Sequence, residues 1–385
     1  MQSNKIPRYV YNNGIVMGAS AEVDYQANTA LTLNRPCRLS PYRAIVPYVK
    51  FAATGTLWFR LTYTPDGRSI TQGAAVSVAT GNLYSVSVAR LSDIKAVAAW
   101  CLGGVLYGCV LNVSTNTITP ATIYSPLSTS SCHAVLDSIA ISATQVFVLF
   151  QNQNEAGIRG AIWNIATNVI TNVSERIDLL SFNTTGYGGQ IINSGTNEYM
   201  LTCSYSSGSN IYRAFQVVSI SGTTITSYET ALFSVYPCGG HGFMTPVCII
   251  DSTKFMYLHE LSSSPYTKYY GLVNVNVATK AVTQGAVTYG VLNNPGSYNN
   301  YATIVPFDVT HFLMGVYGDG GQLHIYMSNF KNPNSDQRYY RTSFTGSAEY
   351  ALPACVVLSS NLGLAYSSDT NNTNSYVHVQ AVIRN

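Results

Sequence analysis

The chain has 385 residues, 46% of them hydrophobic and only 10% charged. A core that large excludes a disordered chain, and 20 basic against 17 acidic side chains exclude a surface built to hold polyanions by net charge. Nucleic acid is therefore not an expected partner, and no stretch nears the ~18 apolar residues of a membrane helix, so membrane insertion is not expected either.

Residues 1–7 lack the apolar run of a secretory signal. Ser, Thr, Asn, Gly and 29 Tyr fill the places that charged side chains usually hold, a neutral, ring-rich surface suited to sugars and stacked protein contacts. The eight cysteines (37, 101, 109, 132, 203, 238, 248 and 355) form no C-x-x-C pair, and five of them (37, 101, 109, 203 and 248) sit among apolar strand residues. They read as reduced small hydrophobes rather than a disulfide framework.

The first predicted strand spans about 9–24 and contains Gly14-Ile15-Val16-Met17-Gly18-Ala19. A repeat follows, with four strands per copy, here A to D from the inside outwards. Alternating or continuous Val, Ile, Leu and Tyr runs mark the strands, and Gly, Asn, Ser and Asp clusters punctuate them. The first copy starts near Thr29 and has its C strand at 57–63. In the second, A ends at Leu91, B is 96–100, Gly103-Gly104 turns the chain, C is 106–113 and D starts at Ile118. The third reads 136–141, 146–150, 159–165 and onward from Val169; the fourth 190–192, 199–204, 212–220 and onward from Ile225. The fifth reads 247–250, 255–259, 270–277 and onward from Ala281; the sixth 304–307, 312–317, 323–328 and onward from Arg338. The seventh has A at 354–358, B at 362–366 and C at 376–383, with no D strand after it.

Two signals make these true repeats. Arg38-Leu39-Ser40-Pro41-Tyr42-Arg43-Ala44-Ile45-Val46 matches Arg90-Leu91-Ser92-Asp93-Ile94-Lys95-Ala96-Val97-Ala98, a period of about fifty residues that belongs to solenoids, propellers or arrays. The C–D hairpin recurs as Ser221-Gly222-Thr223-Thr224-Ile225-Thr226, Ser114-Thr115-Asn116-Thr117-Ile118-Thr119, Ala166-Thr167-Asn168-Val169-Ile170-Thr171 and Ala278-Thr279-Lys280-Ala281-Val282-Thr283. Small, Asn or Gly residues there suit a tight turn with a positive φ.

Residues 14–19 match the D-strand segments Ser69-Ile70-Thr71-Gln72-Gly73-Ala74 and Ala281-Val282-Thr283-Gln284-Gly285-Ala286, yet no C strand precedes them. Pairing this orphan D strand with the seventh copy removes two exposed sheet edges at once. The expectation is an all-β, seven-bladed β-propeller with four antiparallel strands per blade, closed by the N-terminal strand. It forms one domain over 1–385, with blades at about 29–79, 84–124, 133–176, 187–231, 243–290, 301–344 and 350–385. Since the ring uses nearly every residue, no separate anchor, coiled coil or catalytic domain is expected.

The A–B and C–D turns are mostly short, whereas the B–C and D–A connections, which leave on the opposite face, are longer and more varied. Extended loops on a rigid scaffold are where binding usually sits. Several interleave rings with Gly and Asn, and Tyr187, Tyr236, His241, Phe243, Tyr289, Tyr298 and Tyr301 are the candidate binding residues. The plainer alternative is that each ring caps a gap between blades.

No catalytic constellation is present. Glycoside hydrolysis needs paired acids, but Asp66, Asp93 and Asp251 fall in turns, where Asp usually bonds its own backbone. His259-Glu260 lacks the second His of a zinc helix, and the six histidines share no ligand spacing. Asp369 with Asn371, Asn372 and Asn374, or Asp319 between glycines, offers calcium-type oxygens but reads as ordinary polar loop. Neither an enzyme, a metal nor a cofactor is expected.

The hairpins at 218–226, 113–119, 165–171 and 277–283 resemble propeller repeats of bacteriophage virion proteins, above all tail fibres and other tail or surface components. The resemblance covers nearly the whole chain in style and carries over no binding residue. It implies a structural protein of the virion, made in the host cytoplasm, homo-oligomeric in the particle and in contact with other tail or capsid proteins. Its expected role is an adhesin that recognises a host-surface glycan or receptor through the long-loop face. The alternative is a purely structural component without a receptor. The chain lacks the trimeric shaft of a typical fibre, which favours a compact knob, spike or tail-attached module.

Overall fold

The structure, a computed structural model, describes residues 15–27, 30–51, 54–125, 132–152, 157–180, 186–207, 210–235, 247–260, 268–288, 302–317, 322–331, 338–345, 353–370 and 374–384. Its strands form seven antiparallel sheets arranged as the blades of a propeller.

The opening strand β1 (Ile15–Ala27) belongs to the last blade. In the first blade, β2 (Ala30–Leu33) and β3 (Cys37–Ser40) share the inner edge of β4 (Arg43–Phe51), and β5 (Gly55–Tyr63) carries β6 (Thr71–Gln72) and β7 (Val76–Gly81) on its outer edge. Pro36, which has no N–H to donate, splits the inner strand in two. The second blade is β8 (Leu83–Ser92), β9 (Lys95–Leu102), β10 (Val105–Val113) and β11 (Ile118–Pro120). The third is β12 (Cys132–Ser142), β13 (Gln145–Asn152), β14 (Ile158–Ala166) and β15 (Val169–Leu180). The fourth is β16 (Gly186–Gly195), β17 (Glu198–Ser207), β18 (Asn210–Ser221) and β19 (Thr224–Val235). The fifth is β20 (Val247–Asp251), β21 (Lys254–Glu260), β22 (Lys268–Val275) and β23 (Val282–Thr288). The sixth is β24 (Ala302–Pro306), β25 (His311–Tyr317), β26 (Gln322–Asn329) and β27 (Arg338–Thr345). The seventh is β28 (Ala354–Ser359), β29 (Leu362–Thr370) and β30 (Asn374–Arg384), completed by β1.

The middle strands read as continuous apolar runs because both of their faces are buried. In β4, Ala44, Val46 and Tyr48 pack toward the seventh blade, while Ile45 and Val49 pack toward the second. In β9, Ala96, Ala98 and Trp100 face back to the first blade, and Val97, Ala99 and Cys101 face forward to the third. Each junction between neighbouring blades thus holds its own apolar cluster, including the junction between the seventh blade and the first. Gly108 shows how close the blades come: a Cβ there would lie 2.3 Å from the ring of Trp163 in the next blade.

Closure is the expected one. β1 runs antiparallel to β30, with Ile15 opposite Arg384, Ala21 opposite Val379 and Ala27 opposite Asn374. Val23 is fully buried in the junction between the seventh and first blades. The Gln380 side-chain amide donates to the carbonyls of Gly18 (2.8 Å) and Ala19 (3.2 Å). β1 is also held by the first blade. Ala19 N–H donates to Gly67 O at 2.7 Å, Lys50 pairs with Asp24 at 2.8 Å, and Arg60 donates to the Val23 carbonyl.

The short-turn face is tied from blade to blade at one recurring place, the first residue of the B strand, in three of the blades. Arg43 donates to Asp93 O and Ser114 O of the second blade, and Lys95 to Thr167 O of the third. Glu198 of the fourth pairs with Lys280 in the C–D turn of the fifth. The expected positive φ is found at Gly222 (61°), but also at Thr167 (56°) and Lys280 (60°), where side chains make it strained. Two B–C segments expected as loops are largely strand. β17 and β18 pair out to Ser207 and Asn210, and β29 and β30 out to Thr370 and Ser375.

Two outcomes follow for the closing strand. Val23→Asp puts an unpaired charge into a fully apolar junction and should lower unfolding stability by roughly 4 kcal/mol or more, measured by urea denaturation. His378 lies opposite Glu22 across β1 and β30, and burial pulls its pKa down from 6.5 to about 4. Its neutral form is favoured in the fold, so the stability it contributes is complete above pH 6.5 and is lost as pH falls toward about 4. At ~1.4 kcal/mol per pKa unit, the loss by pH 4 is on the order of 3 kcal/mol. His378→Leu should remove that share of the acid sensitivity in urea melts between those pH values.

Candidate functional site

The inner strands surround a central channel, and one buried carboxylate organises its wall. Asp137 lies in β12 within the run Val135-Leu136-Asp137-Ser138-Ile139, where a bulge between Val135 and Asp137 shifts the register. One oxygen accepts from Arg35 Nη1 (3.0 Å) and Ile191 N–H (2.9 Å), the other from Ser138 N–H (2.9 Å) and the Ser87 hydroxyl (3.2 Å). These donors come from the first, fourth, third and second blades. Burial pushes the Asp137 carboxyl pKa up, against the pull of Arg35 and the N–H and O–H donors. Gln190 continues the chain of contacts: its amide donates to Val247 O (2.9 Å) and accepts from Val247 N–H (3.2 Å), which ties the fourth blade to the fifth.

The channel encloses about 840 Å³ and reaches the short-turn face, where Asn193, Asp251, Val309 and Ser360 line it. Its walls are chiefly apolar, with Ile191, Ile249, Ile304, Val305 and Val356 from the inner strands. Arg35 and Arg38 bring the basic groups, both from the first blade. The acids on the lining are engaged locally. Asp251 accepts from the N–H (2.8 Å) and hydroxyl (2.7 Å) of Thr253, and Asp308 takes Arg384, Thr310 and His311.

Of the residues singled out in the sequence, Tyr236, His241, Phe243, Tyr289, Tyr298 and Tyr301 lie outside the described residues, as do Asp319, Asn371 and Asn372. The backbone of Tyr187 is in β16, opposite Ser204. The turn acids divide: Asp66 and Asp251 bond their own turns, whereas Asp93 takes Arg90 at 2.5 Å. Asp137 was missed, although a lone acid inside an apolar strand was the available signal. Cys37, Cys109 and Cys203 are raised to about 12 by burial, which keeps them as protonated, poorly nucleophilic thiols. Among the described residues, no three His, Cys, Asp or Glu side chains gather as a metal site.

No protein-family model matches the sequence, and no curated protein is recognisably similar to it. Among solved structures, a protein of unknown function from Dyadobacter fermentans aligns with a TM-score of 0.56 at 8% identity, covering 97% of this chain and 100% of that one. A Bacteroides uniformis protein proposed to be a 6-phosphogluconolactonase aligns with a TM-score of 0.51 at 9% identity, covering 78% and 81%. At such identities the likeness is one of fold, and it defines the class as β-propeller.

Asp137→Asn should lower stability by about 3 kcal/mol in urea melts, because it leaves Arg35 unpaired and turns an amide N–H₂ toward existing donors. The double variant with Arg35→Met should recover part of that loss.

Proposed function

We propose that this propeller is a structural protein of a bacteriophage virion, a tail-associated or surface adhesin that binds a host-surface glycan or protein and does not turn it over. In this reading it is homo-oligomeric in the particle, and its recognition face is the one from which the B–C and D–A connections emerge. The observation that carries the reading is the asymmetry of the sealed disc. A–B turns are two residues long in every blade but the sixth, whereas the D–A connections after β11, β19, β23 and β27 are far longer in sequence and start from strand ends on the opposite face. The phage assignment rests on the resemblance of the C–D hairpins.

A second reading, a structural component packed against other virion proteins without a receptor, draws on a different observation. Ile94 (60% exposed), Val277 (57%) and Val309 (88%) stand out on the short-turn face, as apolar side chains do at protein contacts.

The two separate in a binding assay with host cells or their isolated surface polysaccharide. Under the adhesin reading, Tyr236→Ala, His241→Ala and Tyr298→Ala each weaken binding about tenfold or more, as central aromatic anchors do. Undiminished binding by the triple variant would sink it, and breakdown of the polysaccharide by purified protein would replace it with an enzymatic one.

A further inference from the structure

The channel presents two guanidinium groups from one short segment, Arg35-Pro36-Cys37-Arg38, and they stand in different circumstances. Arg35 is committed to Asp137. Arg38 is exposed and lines the channel, and none of the ion pairs among the described residues involves it. Its nearest charged neighbours are Arg90 and Asp93, which are already paired with each other at 2.5 Å. Loss of hydration and, after it, repulsion by Arg90 pull the Arg38 pKa down, and the attraction of Asp93 offsets this only in part. A guanidinium carries five N–H donors and no acceptor, a set that matches an anionic head group.

Opposite it the channel is lined by Ile191, Ile249, Ile304, Val305 and Val356. A volume of about 840 Å³ lies in the range of small-molecule sites, which combine apolar walls with a few convergent polar groups. An inorganic anion would use the arginine and leave the walls wet, while a neutral apolar molecule would use the walls and bury the charge unmatched. One ligand class uses both.

We propose that the channel binds an amphiphilic organic anion, with a carboxylate or sulfonate head on Arg38 and an apolar body along the inner strands of the fourth to seventh blades. The short-turn face is its entrance, on the opposite side of the disc from the recognition face proposed above, so the two readings stand or fall separately.

Isothermal titration of the full chain with decanoate tests the site, with acetate (head alone) and decanol (body alone) as the other arms. The expected result is saturable binding of one decanoate per chain, with acetate and decanol at least about tenfold weaker. Charge-assisted hydrogen bonds of this kind are worth about tenfold or more in affinity, so Arg38→Gln should weaken decanoate by that factor. The exposed position of Arg38 predicts an unchanged melting temperature for that variant. Absence of saturable decanoate binding, equal binding of decanol, or decanoate binding by Arg38→Gln at parental affinity would each overturn the proposal.

Discussion

A sheet edge left open on one blade of a ring would undo every neighbour, because each blade buries its faces only against the next. Here the seventh blade is finished by β1, drawn from the other end of the chain, and the residues that do it have little freedom. Val23 fills the junction between the first and last blades, and Gln380 reaches across to the carbonyls of Gly18 and Ala19. Asp24 and the Val23 carbonyl take Lys50 and Arg60 from the first blade. The closing strand is therefore gripped by two blades at once. The apolar cluster between them has the same character as those elsewhere in the ring, so the seam is not a weaker joint of a different kind.

Polar contacts do the remaining work at two radii. At the axis, Asp137 gathers donors from four blades, and Gln190 extends the tie to a fifth. Around the short-turn face, Arg43, Lys95 and the Glu198–Lys280 pair fasten the start of a B strand to the C–D turn next door. A buried carboxylate with a full set of donors holds position better than it performs chemistry, since each of its oxygens already accepts two hydrogen bonds. Together these ties hold the blades to one another at the axis and around the short-turn face.

Much of the architecture was legible because the repeat is written in residues that face no choice. Short continuous apolar runs such as 96–101, bounded by turn residues, read as strands buried on both faces, and the Thr/Ser/Asn/Gly hairpins mark the C–D turns. The orphan D strand at 14–19 was recognisable by its match to 69–74 and 281–286, and strand pairing then dictated where it goes. Less legible was the length of the B–C segments. Tyr205 and Ser206 read as loop from composition, yet they continue the ladder because β18 offers its edge to them. Turn chemistry also misled in detail, since Thr167 and Lys280 adopt the left-handed backbone where Gly or Asn was the natural expectation.

By itself, then, the sequence determined the strands, their number per blade and the partner of the first one, because hydrophobic period and edge pairing are local or pairwise constraints. Only the tertiary structure decided that Asp137, Arg35, Ser87 and Ile191 meet, and that Arg38 faces a channel walled by the inner strands of four other blades. Arg35, Ser87, Asp137 and Ile191 follow one another at about the repeat's own period, but a different residue type stands at each place, so no motif marks them. They converge because a closed ring brings every inner strand to one axis, a condition that no short stretch of sequence can express.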